Sequence, residues 1–190
     1  MLALEEKIKK EGKVLPGGIL KVGSFLNQQI DISFLMEMGR EISRLYENCG
    51  VTRIFTIESS GIAIAVAAAT YMNVPVVFAR KNKSNNIAND VYTSRVSSFT
   101  HGNTYDAVVS REYIKADDTV LIIDDFLARG SALVGLIDMV KQSGAKIAGA
   151  AIAIEKGFQG GGDNIRRTGI RIESLALIEN MTDNEIIFKR

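Results

Sequence analysis

With 190 residues, 46% of them hydrophobic and 24% charged, the composition is ordinary for one compact globular domain with enough chain for a real core. A net charge of +1, with Lys and Arg scattered along the chain, gives no nucleic-acid or membrane electrostatic footprint and leaves small metabolites as the expected partners. The single cysteine, Cys49, cannot form an internal disulfide, the amino terminus lacks the apolar core of a secretory signal, and no run is long enough to span a bilayer, so the expected compartment is a reducing cytoplasm.

In chain order, Leu4, Ile8 and the charges around them suggest a short opening helix that stops at Gly12, before the turn cluster Pro16, Gly17 and Gly18. Residues 20–27 are apolar with small and polar insertions. Asp31 or Ser33 then caps a helix whose Leu35, Met38, Ile42, Leu45 and Tyr46 form one core-facing stripe. Residues 53–58 read as a strand, residues 62–72 as an alanine-rich helix and residues 75–80 as a second strand, which together make a βαβ unit. Its right-handed crossover sets the turn Ser59, Ser60 and Gly61 at the carboxyl edge of a parallel sheet, where open α/β folds bind ligands.

Residues 81–104 are polar and lack helical periodicity, although residues 91–96 could pair as a ribbon. A stretch this long and irregular is usually functional or disordered. His101, the only histidine, falls in it and is assigned no role. Residues 106–110 and 148–155 supply further strands, and the glycine-rich residues 158–163 read as a flexible loop. There is no internal repeat.

The segment around which the chain is organised is 120–133. An apolar strand run ends in two adjacent acids, Asp124 and Asp125, and passes through a small-residue loop into a helix marked by Leu133, Leu136, Ile137 and Val140. At such a helix start, Ala128, Arg129, Gly130, Ser131 and Ala132 direct unpaired backbone N–H groups at an incoming anion, which the helix dipole also favours. That is a seat for a phosphate. The acids cannot bind phosphate themselves, but carboxylates accept hydrogen bonds and suit sugar hydroxyls a few ångströms away. The segment therefore reads one sugar phosphate. Taken alone, the two acids are as well explained as solvated loop residues or as the metal site of a receiver-like domain.

The whole constellation resembles the type I phosphoribosyltransferases, whose fingerprint is an apolar strand, two acids and a small-residue phosphate loop entering a helix; residues 122–132 match it closely. Glu58, Ser59, Ser60 and Gly61 look like the family's pyrophosphate loop, Arg80 and Lys81 like the basic pair beside it, and residues 81–104 like its mobile lid. Residues 20–31 and 154–159 are similar to the base-recognising segments of the bacterial branch that acts on xanthine. The resemblance implies a mainly parallel twisted sheet flanked by helices, one domain over residues 1–190, with a small hood from about residues 1–30 and 155–190. It also implies that Leu20, Asn27 and Lys156 contact the purine, that Ala128, Arg129, Gly130, Ser131 and Ala132 hold the 5-phosphate of phosphoribosyl diphosphate, and that the protein is a homodimer. Without it, Asn27 is an ordinary loop amide, Lys156 an exposed lysine and Leu20 a core residue.

One position departs from the family pattern, which commonly has threonine where this chain has Arg129. The hydroxyl contact is lost there, while the backbone cradle stays and a guanidinium adds a charged donor.

The implied reaction moves ribose from pyrophosphate to a purine nitrogen through an oxocarbenium-like state. Mg²⁺ is the implied cofactor, held mainly through substrate oxygens, with Asp124, Asp125 and Lys81 as the implied catalytic side chains and Ser59, Ser60 and Gly61 on the pyrophosphate. Two rivals remain. A regulator that senses phosphoribosyl diphosphate needs a DNA-reading element, and no basic helix-turn-helix region precedes residue 50; an enzyme for guanine, hypoxanthine or adenine differs only in the base pocket.

Overall fold

The computed structural model describes residues 1–81, 90–97, 104–182 and 185–189. Helix α1 (Leu2–Glu11) turns Leu4 and Ile8 fully inward and stops at Gly12. Strands β1 (Lys13–Leu15) and β2 (Ile19–Lys21) pair antiparallel, Val14 opposite Leu20, around the Pro16-Gly17-Gly18 turn. A π-type turn over Gly23–Asn27 leads to α2 (Ile32–Leu45). Asp31, not Ser33, is its cap: the carboxylate accepts from the Phe34 N–H at 3.1 Å. Leu35, Met38, Ile42 and Tyr46 of the stripe are buried, and Leu45 is partly so.

The sheet follows. Its strands are β3 (Arg53–Ile57), β4 (Val76–Lys81), β5 (Val91–Ser97), β6 (Thr104–Ser110), β7 (Thr119–Leu127), β8 (Lys146–Lys156), β9 (Ile172–Met181) and β10 (Ile186–Phe188). Helix α3 (Ser60–Met72) links β3 to β4, α4 (Ser131–Ser143) links β7 to β8, and the short α5 (Gly161–Arg166) lies between β8 and β9. The spatial order is β10-β9-β8-β7-β3-β4-β6-β5, with β9, β8, β7, β3 and β4 parallel and β10, β6 and β5 antiparallel to their neighbours.

The central strands are apolar throughout because both faces are covered. Leu121 and Ile123 pack in one layer with residues of α1, α2 and α3, while Val120 and Ile122 pack in the other with Leu133, Leu136 and Val140 of α4. Each fully buried Leu or Ile contributes about 1.5–3 kcal/mol, so this two-sided burial sets the register of β7 firmly.

Two sequence expectations change. Strand β7 does not end at the acids; it runs through them to Leu127, with Asp124 opposite Ile152 and Leu127 opposite Glu155. Residues 158–163 are not a flexible loop: Gly157–Gln159 forms a 3-10 turn, and Gly161, Gly162 and Asp163 open α5. Glycine lowers helix propensity, but here it is the only side chain small enough for the space, since a Cβ on Gly161 would lie 2.3 Å from the Ala128 carbonyl oxygen. Within the polar stretch 81–104, Val91–Ser97 forms the expected ribbon, pairing along its length with β6. The remainder of the expected lid, residues 82–89 and 98–103 with His101, lies outside the described residues.

Candidate active site

Parallel strands all finish on one edge, so β3, β4, β7 and β8 deliver their following residues to the same place. From β3 come Glu58 and the turn into α3, from β4 comes Lys81, from β7 come the acids and the loop into α4, and from β8 comes Lys156.

The loop expected to seat a phosphate joins β7 to α4. Gly130 caps α4 at φ 87°, a left-handed conformation that a side chain would strain, and no side chain caps the helix start. Among the described residues no side chain accepts from the first-turn N–H groups of α4, the arrangement that binds anions. Ser131 Oγ accepts the Ser97 N–H at 2.8 Å, which leaves its own proton to donate and ties the β5 ribbon to the phosphate helix. Arg129 is exposed on the loop.

The second turn is tighter. A Cβ on Gly61 would sit 2.3 Å from Thr56 Oγ1 and 3.3 Å from Asp124 Oδ1, so only glycine lets α3 start this close to the acid pair. Ser59 precedes α3 without a side-chain cap, and the Glu58–Ser59 peptide is cis. Glu58 orients the neighbouring basic residues: its carboxylate accepts the Lys81 N–H at 2.5 Å and pairs with Arg80 at 3.7 Å. The Lys81 ammonium lies 5.5 Å from the Tyr105 ring centroid. Burial pushes the Tyr105 phenol up, helped by Asp124 and Glu58.

Asp124 and Asp125 differ sharply. Asp124 is buried and accepts the Asp125 N–H at 2.9 Å, whereas Asp125 is half-buried and accepts from Asn27 Nδ2 at 3.0 Å. Burial first, and then the Asp125 carboxylate, hold the Asp124 carboxyl well above the ordinary range, with Lys81 pulling weakly the other way. Asp124 is thus not a solvated strand-end acid that contributes nothing to packing.

Of the residues linked to the purine, Asn27 reaches the acids and Lys156 stands at the end of β8. The Lys156 ammonium donates to the Gly18 carbonyl oxygen at 2.8 Å and lies 5.8 Å from the Phe126 ring centroid; burial pulls its pKa below the usual lysine value. Leu20 is buried in the core layer that holds Leu4 and Ile8. Tyr105 and Thr56 carry no such sequence signal: Thr56 is simply a buried hydroxyl in an apolar strand, its Oγ1 without a hydrogen-bond partner among the described residues.

Among the described residues no group of three or more His, Cys, Asp and Glu side chains converges. Two adjacent carboxylates suit a Mg²⁺ ion that keeps waters and takes its remaining ligands from a substrate's phosphate and hydroxyl oxygens.

An uncapped helix start, a paired acid and a second small-residue turn share one sheet edge, and the comparisons with known proteins give the family. Residues 28–169 match the phosphoribosyl transferase domain, and the chain belongs to that family. More particularly, it is 52% identical over 191 residues to the xanthine phosphoribosyltransferase of Lachnoclostridium phytofermentans, spanning 100% of this chain and 98% of that one. It is 50% identical over 188 residues to that of Ruminiclostridium cellulolyticum, spanning 99% of each. Among solved structures, the adenine phosphoribosyltransferase of Giardia lamblia complexed with 9-deazaadenine superposes with a TM-score of 0.78 at 20% identity, covering 94% of this chain and 98% of that one. At that identity the likeness speaks for the fold.

Proposed function

We infer that the protein transfers the 5-phosphoribosyl group from phosphoribosyl diphosphate to xanthine, giving xanthosine 5'-monophosphate and pyrophosphate. The observation that carries this is the similarity, at about half of all positions and over the whole chain, to relatives named for that reaction. The site supports it part by part.

In the reaction the bond from ribose C1 to the pyrophosphate oxygen breaks, a bond from C1 to a purine nitrogen forms, and the base loses a proton. The α4 N–H groups from Ser131 onward and the Gly130 turn seat the 5-phosphate, fixing the sugar over the acids. Asp124 and Asp125 accept the ribose hydroxyls and lie where positive charge builds on the sugar. Pyrophosphate leaves toward Ser59, Ser60 and Gly61, with Lys81 supplying the countercharge. Bound Mg²⁺ would neutralise the diphosphate, held by Asp124, Asp125 and substrate oxygens. Asn27 and Lys156 address the oxygens at C2 and C6 of xanthine. Each makes one bond internally here, to Asp125 and to the Gly18 carbonyl, out of the two donor hydrogens of the amide and the three of the ammonium. The proposal gives the exclusion of water to the segment 81–104, which the Ser97–Ser131 bond couples to the phosphate helix. It extends to a homodimer, supported by the exposed Val66, Tyr71 and Phe78 on α3 and β4, and to a cytoplasmic setting, supported by the single cysteine. No helix among the described residues is long and apolar enough to cross a membrane.

Pyrophosphate release with xanthine, guanine, hypoxanthine and adenine tests the reading. The highest kcat/KM is expected for xanthine. A higher value for another purine overturns the base assignment, and no release with any purine overturns the enzyme.

A further inference from the structure

An ion pair on a deeply buried carboxylate lies outside the groups used above. Glu155 is 1% exposed, and Arg166 of α5 grips it with two parallel bonds, Nη1 to Oε1 at 2.8 Å and Nη2 to Oε2 at 2.6 Å. The Ser174 hydroxyl of β9 also donates to Oε2. A charge is buried this deeply only when it is paired and hydrogen-bonded, and this one is both.

Its position gives it a task. Glu155 stands directly opposite Leu127, the last residue of β7 before the phosphate loop. Its neighbour Lys156 reaches the other way, to Gly18. Helix α5, held down by Arg166, lies against the loop itself. A Cβ on Gly161 would meet the Ala128 carbonyl oxygen at 2.3 Å and the Arg129 carbonyl carbon at 2.5 Å, and a Cβ on Gly130 would meet Ile165 Cδ1 at 3.1 Å. A Cβ on Gly162 would in turn lie 1.9 Å from Glu155 Oε1. The phosphate loop therefore rests on the backbone of α5, and α5 rests on Glu155, with no space for a methyl group at either contact.

We propose that Glu155 and Arg166 are positioning residues for phosphoribosyl diphosphate: their two-point pair fixes α5, whose glycine backbone sets the shape of the phosphate loop from below. This rests on the assignment of the 5-phosphate to that loop. Neither side chain touches substrate. The fork geometry matters more than the charge, because a lysine ammonium offers no planar pair of donors to match the carboxylate.

The test uses Arg166→Lys, which keeps the charge and loses the fork, and Gly161→Ala, which pushes the loop without altering any charge. Thermal midpoints, KM for each substrate and kcat are measured on the full chain, with phosphoribosyl diphosphate binding followed by calorimetry. Both variants are expected to stay folded and to raise KM and Kd for phosphoribosyl diphosphate at least tenfold, with KM for xanthine changed less than threefold. A merely structural role lowers the thermal midpoint and the active fraction and leaves both KM values in place. Tight wild-type binding of phosphoribosyl diphosphate left unchanged in both variants overturns this proposal alone. Absence of wild-type binding overturns the functional reading, and this proposal with it.

Discussion

The two ends of β7 carry acids in opposite electrostatic states. At its entrance, Asp118 is buried yet fully partnered, taking hydrogen bonds from the Lys115 N–H at 2.8 Å, Thr52 Oγ1 at 2.9 Å and Arg53 Nε at 2.9 Å. Burial works against its charge, but those donors win and hold its carboxyl below the ordinary range. At the exit, Asp124 is buried beside a second carboxylate and is held well above it. One end of the strand spends its charge on the fold. The other keeps an acid pair whose charge its neighbours relieve only in part, a state that marks functional sites more often than stable cores.

The comparison is broken hardest at the exit. Asp124→Asn with Asp125→Asn should lower kcat/KM by at least about a hundredfold, the scale for removing preorganised electrostatic groups. The ligand-free thermal midpoint should be unchanged or higher. Steady-state turnover with xanthine beside a melting curve checks both halves, and near-normal turnover rejects the sugar site.

At the entrance the opposite is expected. Asp118→Ala strands Arg53 and the Lys115 N–H and should cost about 2 to 3 kcal/mol. That is a drop of roughly 5 to 10 °C in thermal midpoint, with kcat per folded molecule intact. A variant that melts normally but turns over slowly would mean that the two ends have been assigned the wrong way round.

The exit acids stood out in the sequence because a small-residue loop and a helix follow them at once, and the phosphate seat, the βαβ turns and the α2 stripe rest on the same kind of local pattern. Asp118 also flanks the apolar run of β7, but its partners Thr52 and Arg53 lie 66 and 65 residues away, and only the parallel pairing of β3 with β7 joins them. The glycines of residues 160–162 read as a loop because propensity is local, while their reason is a close approach to residues 128–129 and Glu155. Asn27 and Lys156 came from family resemblance alone, since nothing in an amide or a lysine announces which carbonyl or carboxylate it will meet across the sheet edge.

A smaller effect concerns base choice. If the proposed base pocket holds, Asn27→Ala and Lys156→Ala each remove one donor to a ligand oxygen, worth about 1 to 3 kcal/mol, or roughly one to two powers of ten in kcat/KM for xanthine. Phosphoribosyl diphosphate binding should change little, because the phosphate loop is untouched. The xanthine-to-hypoxanthine ratio should fall in Asn27→Ala if that side chain reads C2; a ratio unchanged in both variants rejects the base pocket.

The smallest effects are in the pH dependence of stability, where the two ends have opposite signs. Asp118 titrates below the ordinary carboxyl value of 3.8 in the folded state, so its stabilisation is complete above that value and is lost as pH falls from there through its lower folded value. Asp124 titrates above 3.8 when folded, so the folded state holds the extra proton and stability declines as pH rises from there toward its folded value. Thermal midpoints taken across pH should show Asp118→Asn flattening the acid limb and Asp124→Asn flattening the decline above it. The same limb flattened by both variants would erase the contrast.

The most direct measurement is the thermal midpoint of wild type and Asp124→Asn, each alone and with phosphoribosyl diphosphate and Mg²⁺. The account predicts that the variant alone melts at or above the wild-type temperature, rising about 2 to 4 °C for each 1 kcal/mol of relieved repulsion, and that it loses most of the ligand-induced shift. A variant that melts lower than wild type while keeping the full ligand shift would make Asp124 a structural acid and contradict the account.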